Sequence, residues 1–489
     1  MTPRATVVGS GPNGLVAAVS LARAGYDVRV LEAASRPGGG IRSEAITVDG
    51  FVHDLASAVH PLAATSAWFR AFGLADRIEW LVPEASYAHP LEDGPAAVAW
   101  RDLDRTTDEL GEDGRAWRWM LEPLAADLDS VLAVTGGSML LAPRHPRALA
   151  RLGVRVAATG LAGPPLRTVR AKALWAGVAA HAPARQPSLA GAATGLLLAA
   201  HAHTATGWPV PRGGAGSIAD ALLADLRAHG GVVETGVTVR DLAQLDRGDP
   251  AAGDVLLLAG APRLAATLPG VPAAYARAVR GYRYGPAVAK VDLALSQPVP
   301  WRDPRVSSSP TVHLGGTSAQ IAAAERAVLN GRLAHDPYVL LVQPSVVDDT
   351  RAPQGGATVW AYLHVPLGST VDPTDLVLRR IERFAPEVRD LVVGRHVTRA
   401  VDLAASNPAA IGGDGLGGSL SLTQLARRPV WSTAPWRTPV PGVYLASAAT
   451  APGPGVHGMA GWHAARTVLH DAGRPTGLGD LFDRSRLRE

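Results

Sequence analysis

Apolar residues gather in short runs near both ends of the chain and take helical spacing between them. The first run, Thr6-Val7-Val8, stops at Gly9. An Ala/Leu/Val-rich stretch with the period of a helix follows, ending at Gly25. Residues 26–32 then read as a second strand, so the opening predicts a strand–helix–strand unit. Residues 51–100 mix short elements with turns. Residues 101–205 are helical in pattern, with Pro and Gly breaks around 143–146, 160–165 and 183–187. A Gly/Pro loop at 207–216 precedes an amphipathic helix over 217–229, then Gly230-Gly231 and the strand-like Val232-Val233-Glu234. Residues 254–260 form the unbroken apolar run of a buried parallel strand. Residues 284–296 and 356–366 alternate as strands, and 375–384 has helical spacing. Near the end a strand at 442–447, a Gly/Pro loop and a helix over 458–472 complete the pattern. There is no internal repeat. Strand–turn–helix units at the start, middle and end predict an α/β fold. Its discontinuous nucleotide-binding domain would comprise 1–100, 206–285 and 436–489. A mixed-sheet and helical second domain would comprise 101–205 and 286–435.

Composition narrows the classes. The chain has 489 residues, and 47% are apolar, enough for a sizeable core. Gly 53 and Pro 39 are high but aperiodic, against collagen and coiled coil. The net charge is only +4, and 45 of the 47 basic residues are arginine. No basic run is interleaved with aromatics, so nucleic acid is not an expected partner. There is no cysteine, which excludes disulfides, thiolate metal sites and a cysteinyl-flavin link. No metal-ligand spacing occurs, so no metal is expected. Residues 1–4 run straight into a strand, predicting no signal peptide and a cytoplasmic chain. The longest apolar stretch, 188–205, holds His201 and His203 and reads as a buried or interfacial helix.

Gly9-Ser10-Gly11-Pro12-Asn13-Gly14 is a G-x-G-x-x-G turn. Gly9 permits the turn, Gly11 lets backbone approach a pyrophosphate, and Gly14 lets helix and strand pack closely. The helix N-terminus offers N–H groups and partial positive charge to the phosphates. Glu32, with Ala33 behind it, closes the second strand where a carboxylate binds ribose hydroxyls and repels a 2′-phosphate. Arg36 and the run Gly39-Gly40-Ile41-Arg42 add N–H groups and cations, a continuation that flavoproteins holding extended FAD share. Val456-His457-Gly458-Met459 starts the last helix, whose N-terminus would stabilise the charge of a reduced flavin ring.

With these stretches on view, the chain resembles the phytoene desaturase-like (phytoene dehydrogenase-related) FAD-dependent oxidoreductases, within the amine oxidase/desaturase superfamily. The likeness runs from the first motif through residues 52–61, 288–295, 298–301, 359–366 and 383–386. It continues through Asn407-Pro408, Gly412-Gly413-Asp414 and Arg428-Pro429 to the last Gly-rich segment. Residues 101–205 match least. The resemblance implies FAD in a glutathione-reductase-type fold, with the Val239 backbone reading adenine and Ala259-Gly260-Ala261 turning beside the cofactor. Ala446-Ser447 departs from the Cys-Gly, Gly-Asp or Gly-Glu of relatives, though the Ser447 N–H can still serve the pyrophosphate.

In related amine oxidases a lysine on the strand corresponding to Lys290 reaches flavin N5 through a water. An isolated lysine on an apolar strand costs free energy unless paired or used, so Lys290 is a catalytic candidate; a snorkelling lysine is the plainer alternative. Tyr362 and His364, two apart on a strand, share one face and could line the substrate cavity or form a structural pair. His457 could tune the flavin. The expected reaction is dehydrogenation of an apolar substrate by hydride transfer to flavin N5, with dioxygen, a quinone or another acceptor reoxidising it. The helical segment could cap a cavity or make peripheral membrane contact. An amine oxidase, a redox-neutral flavin isomerase and a non-catalytic flavin-binding interaction protein remain as alternatives.

Overall fold

The computed structural model describes residues 2–141 and 144–482. Strands β1 (Arg4–Val8) and β2 (Asp27–Leu31) flank helix α1 (Pro12–Arg23). Next come the hairpin strands β3 (Ala85–His89) and β4 (Ala97–Trp100). The helical segment supplies α2 (Leu103–Leu110), α3 (Gly114–Ala125), α4 (Leu128–Thr135), α5 (Pro146–Leu161), α6 (Val169–Ala179) and α7 (Leu189–Ala202). Helix α8 (Gly216–Ala228) leads to β5 (Val232–Glu234) and β6 (Val255–Leu258). The second sheet then adds β7 (Ala287–Leu295), β8 (Thr311–Leu314), helix α9 (Ser318–Leu329), β9 (Val339–Val342), β10 (Ala357–Val365) and β11 (Val392–Thr398). The chain returns to the first sheet with β12 (Val443–Leu445) and closes with α10 (Met459–Asp471).

The first sheet is parallel, in the order β12-β6-β1-β2-β5. Its strands arrive from three distant parts of the sequence, as the pattern of apolar runs predicts. β6 is buried along its whole length and reads as an unbroken apolar run, whereas β1 opens on exposed Arg4 and half-buried Thr6 before the buried pair Val7-Val8. The second sheet runs β11-β7-β10-β9-β8-β3-β4. Its pairings are antiparallel apart from β8 with β3. Residues 85–100 therefore belong to this second sheet, although their position before the helical segment put them on the nucleotide side of the expected boundary. The pairing that recruits β3 is to β8, more than 200 residues away, and no local pattern signals it.

Close backbone approach decides how the helices sit on the first sheet. A Cβ on Gly14 would lie 2.0 Å from the Gly9 carbonyl oxygen, and one on Gly461 would lie 1.9 Å from that of Asn13. The two glycines let α1 lie against the β1 turn and α10 lie against α1, which brings both helix N-termini to one groove. Helix α7 includes the long apolar stretch and is packed among α3, α5 and α6, with Leu196, Ala199 and Ala200 fully buried. Among the described residues no helix is long and apolar enough to cross a membrane.

Candidate functional site

One continuous cavity of about 1930 Å³ runs from the carboxyl ends of β1 and β2, past the N-terminus of α10, to the face of the second sheet and the helical segment. Gly9, Gly11, Pro12, Asn13 and Gly14 line it, with Glu32, Ala33, Gly39, Gly40 and Arg42. From the distant segments come Val239, Ala259, Gly260, Ala261, Ser447, Val456, His457 and Met459. Three expected residues are not on its wall. Ile41 is fully buried beneath it. Gly458 is turned toward α1, where a Cβ would meet Val16 at 2.6 Å. The Arg36 side chain is exposed, and the cation this turn contributes to the wall is Arg42, whose Nε donates to the Gly39 carbonyl at 3.2 Å.

The geometry suits a dinucleotide. Gly9 has φ +99°, open to glycine, and no protein atom lies within 4 Å of where a Gly11 Cβ would be, so the turn faces open groove. The Glu32 carboxylate accepts from the Ser10 N–H at 2.9 Å, the Ser10 hydroxyl at 2.5 Å and the Ala34 N–H at 2.8 Å. Those bonds fix its orientation at the groove and leave lone pairs for hydroxyl donors. At the α10 end, His457 Nδ1 accepts the Met459 N–H at 3.0 Å, and the His457 carbonyl accepts the Ser66 hydroxyl at 2.6 Å. Burial lowers the His457 pKa to about 4, against the opposing pull of the nearby Gly453 and Pro454 carbonyls, so the ring is neutral. The imidazole thus pins the Gly/Pro loop to the helix N-terminus.

Lys290 lines the cavity from β7. Its Nζ donates to Asp292 Oδ1 at 2.8 Å and to the Asp54 carbonyl at 2.9 Å. Burial presses the lysine pKa down and lifts that of Asp292 to about 6. Nζ also lies 2.6 Å from Asp292 Oδ2, so the carboxylate and the Asp54 carbonyl together hold the amine at the cavity wall. Register explains the neighbourhood: Lys290 sits opposite Tyr362 on β10 and Thr398 on β11, and directly paired residues share a face. Tyr362 lines the cavity. His364 does not; its Nδ1 lies 2.9 Å from Glu325 Oε1 on α9, and both groups are buried. A buried carboxylate needs a partner, and Glu325 draws the imidazole away from the cavity.

Several groups at this site carry no local signal in the sequence. Asp54 accepts the Ser43 hydroxyl at 2.6 Å and the Ala215 N–H at 2.8 Å, and it pairs with Arg351 Nη2 at 3.0 Å. Arg351 Nε reaches Asp348 at 2.7 Å, and Asp348 accepts the Gly213 N–H at 2.8 Å. This wholly buried network ties the nucleotide-side loops to the second sheet directly behind Lys290. His181 also lines the cavity, and its Nε2 lies 2.9 Å from His313 Nε2. Burial lowers the His181 pKa to about 3, so one ring donates to the other without charge. His60 lines the same wall, and burial lowers its pKa to about 4.

Comparison with known proteins agrees with this architecture. The family model for an NAD(P)-binding Rossmann-like domain matches residues 7–73. Two mammalian relatives are both named pyridine nucleotide-disulfide oxidoreductase domain-containing protein 2. The one from Rattus norvegicus is 26% identical over 299 residues, 54% of this chain and 51% of its own. The one from Mus musculus is 25% identical over 551 aligned positions, 96% of this chain and 93% of its own. The chain thus aligns with about half the length of the rat relative. Among solved structures, an oxidoreductase from Methanosarcina mazei has TM-score 0.56 at 15% identity, covering 96% of this chain and all of that one. Cyclohexylamine oxidase from Brevibacterium oxydans has TM-score 0.56 at 16% identity, covering 97% and 100%. Putrescine oxidase bound to putrescine has TM-score 0.53 at 18% identity, covering 97% and 100%.

The fold is therefore that of the FAD-dependent oxidoreductases, a parallel dinucleotide-binding sheet joined to a mixed sheet with helices. The family match gives a Rossmann-like dinucleotide-binding domain over residues 7–73, and over the rest of the chain the solved structures share the fold.

Proposed function

We propose that this chain binds FAD in extended form and dehydrogenates a predominantly apolar small molecule. FAD is favoured over a nicotinamide dinucleotide because the cavity does not end at the first turn. Gly39, Gly40 and Arg42 continue it, and the N-terminus of α10 meets it further on. When bound, the flavin supplies hydride acceptance at N5. Glu32 holds the ribose, the α1 N-terminus and Arg42 face the pyrophosphate, and α10 faces the pyrimidine edge. Lys290, oriented by Asp292 and the Asp54 carbonyl, holds a water in the cavity and through it moves the substrate proton.

The observation that carries the substrate reading is that, among the described residues, three carboxylates line the cavity and each is already hydrogen-bonded or ion-paired. Glu32 is engaged by Ser10 and Ala34, Asp129 pairs with Arg70 at 2.8 Å, and Asp414 accepts the Gly285 and Leu416 N–H groups. An ammonium substrate would have to compete with these donors for a counter-charge, which disfavours amine oxidation. The wall in front of Lys290 is instead built from Val288, Leu340, Val342 and Trp360, with Leu132, Leu152 and Val156 beyond. Exposed Met139, Leu140 and Leu141 beside the cavity give a place for peripheral membrane contact through which such a molecule could arrive.

The test begins with purified protein and FAD. Stoichiometric uptake of flavin, and anaerobic bleaching of its absorbance by an apolar polyene but not by putrescine or cyclohexylamine, is the expected result. Bleaching by the amines with release of hydrogen peroxide would replace this reading with amine oxidation. Product formation without net bleaching or acceptor consumption would replace it with isomerisation. Dioxygen and a quinone, supplied in turn, identify the acceptor.

A further inference from the structure

Helix α10 presents Met459, His463 and Arg466 to the cavity, at spacings of four and three residues that put them on one stripe. His463 Nε2 donates to the Gly136 carbonyl at 2.7 Å, which seats the loop after α4 on this helix. That loop brings Arg144 to the same wall. Arg466 is half-buried, and burial together with the like charge of Arg144 presses its pKa down. Neither arginine makes a hydrogen bond or ion pair with any described residue, whereas Arg70 on the same wall is already satisfied by Asp129. Arg144 is exposed and Arg466 half-buried, so two like charges without an acidic partner among the described residues repel each other on this wall and favour an anion. At the far end of the cavity Arg240 and Arg263, which pair with no acid among the described residues, line the wall beside Val239 and Ala261. Arg466 lies seven residues beyond Met459, about 10 Å further along the helix. The pair is therefore separate from the cofactor phosphates. Met139, Leu149 and Leu152 line the same cavity.

We propose that Arg144 and Arg466 hold the anionic end of the substrate, a carboxylate or phosphate terminating an apolar chain whose body lies along the helical segment toward Lys290. This rests on the reading of the cavity as a substrate chamber beside FAD. A planar guanidinium fork suits either oxyanion.

The test measures binding of radiolabelled oleic acid, oleyl phosphate and oleyl alcohol to the FAD-loaded protein by equilibrium dialysis. At least one anion is expected to bind tenfold or more tightly than the alcohol, in line with a charge-assisted hydrogen bond, and the preference should shrink with added salt. The tighter of the two anions identifies the head group. Arg144→Gln combined with Arg466→Gln should abolish the preference while leaving alcohol binding unchanged, and Arg466→Lys should restore part of it. The two replacements break no hydrogen bond or ion pair among the described residues, and an unchanged flavin spectrum verifies the fold. Equal affinity for acid, phosphate and alcohol, or a preference that survives the double replacement, overturns the proposal. Flavin uptake and bleaching by a neutral polyene are read on the same samples. A protein that is reduced by the polyene yet shows no anion preference loses only this inference. One that never takes up flavin loses the redox reading instead.

Discussion

Replacing Arg351 by methionine tests the buried network behind the site. The guanidinium is wholly buried and bridges Asp54 at 3.0 Å and Asp348 at 2.7 Å, so its loss leaves two buried carboxylates without their cation. Breaking such a pair from one side costs about 3–5 kcal/mol. Here the lower end is expected, because both acids keep other donors. Asp54 retains Ser43 and Ala215, and Asp348 retains Gly213 and Thr350. A loss of about 3 kcal/mol is more than a hundredfold in the folding equilibrium. It would be read from urea unfolding followed by tryptophan fluorescence. The pH dependence sharpens the test. Burial alone would raise the Asp348 carboxyl, but hydrogen bonds from Thr350 and Arg351 hold it below the ordinary value. In the unaltered protein this group adds stability above about pH 4, lost as pH falls through the folded pKa. Without Arg351 the balance tips to burial and the folded pKa rises, so the variant gains relative to the parent as acid is added. The deficit should therefore narrow between pH 7 and pH 5. Arg351→Lys should recover part of it, as a point charge that cannot fork. A deficit below about 1 kcal/mol at pH 7, or one that widens toward pH 5, would refute the reasoning.

Other changes probe the groove. Gly461→Ala puts a methyl group 1.9 Å from the Asn13 carbonyl oxygen, so α10 must move off α1. Flavin uptake should fall sharply, measured by absorbance after desalting. Glu32→Gln keeps the shape but cannot accept at both oxygens from Ser10 and Ala34. FAD affinity should drop about tenfold to a hundredfold in a calorimetric titration, the scale of one lost charged hydrogen bond. Lys290→Met should leave flavin bound but slow its reduction or reoxidation in stopped-flow absorbance; unchanged rates would remove its proposed role.

Much of this molecule is written in local pattern. The strand–turn–helix opening, the buried run at Val255–Leu258 and the closing helix need only apolar period and glycine position to be recognised. Steric demands at Gly9, Gly14 and Gly461 act within a few ångströms, so they leave a mark on residue type. The helical character of 101–205 is legible for the same reason. What lies between the elements is not. That β3 and β4 join the second sheet depends on a pairing across more than 200 residues. His364 shares a strand face with Tyr362, yet a glutamate on another element turns it from the cavity. Arg36 and Arg42 look alike in the chain, and only the path of the turn puts one outside the wall and the other on it. Local sterics and hydrophobic period were thus decided by the residues themselves. Which charges meet, which stay unpaired and which face the cavity followed from long-range packing, because a Coulomb partner is chosen by distance in space rather than by separation along the chain.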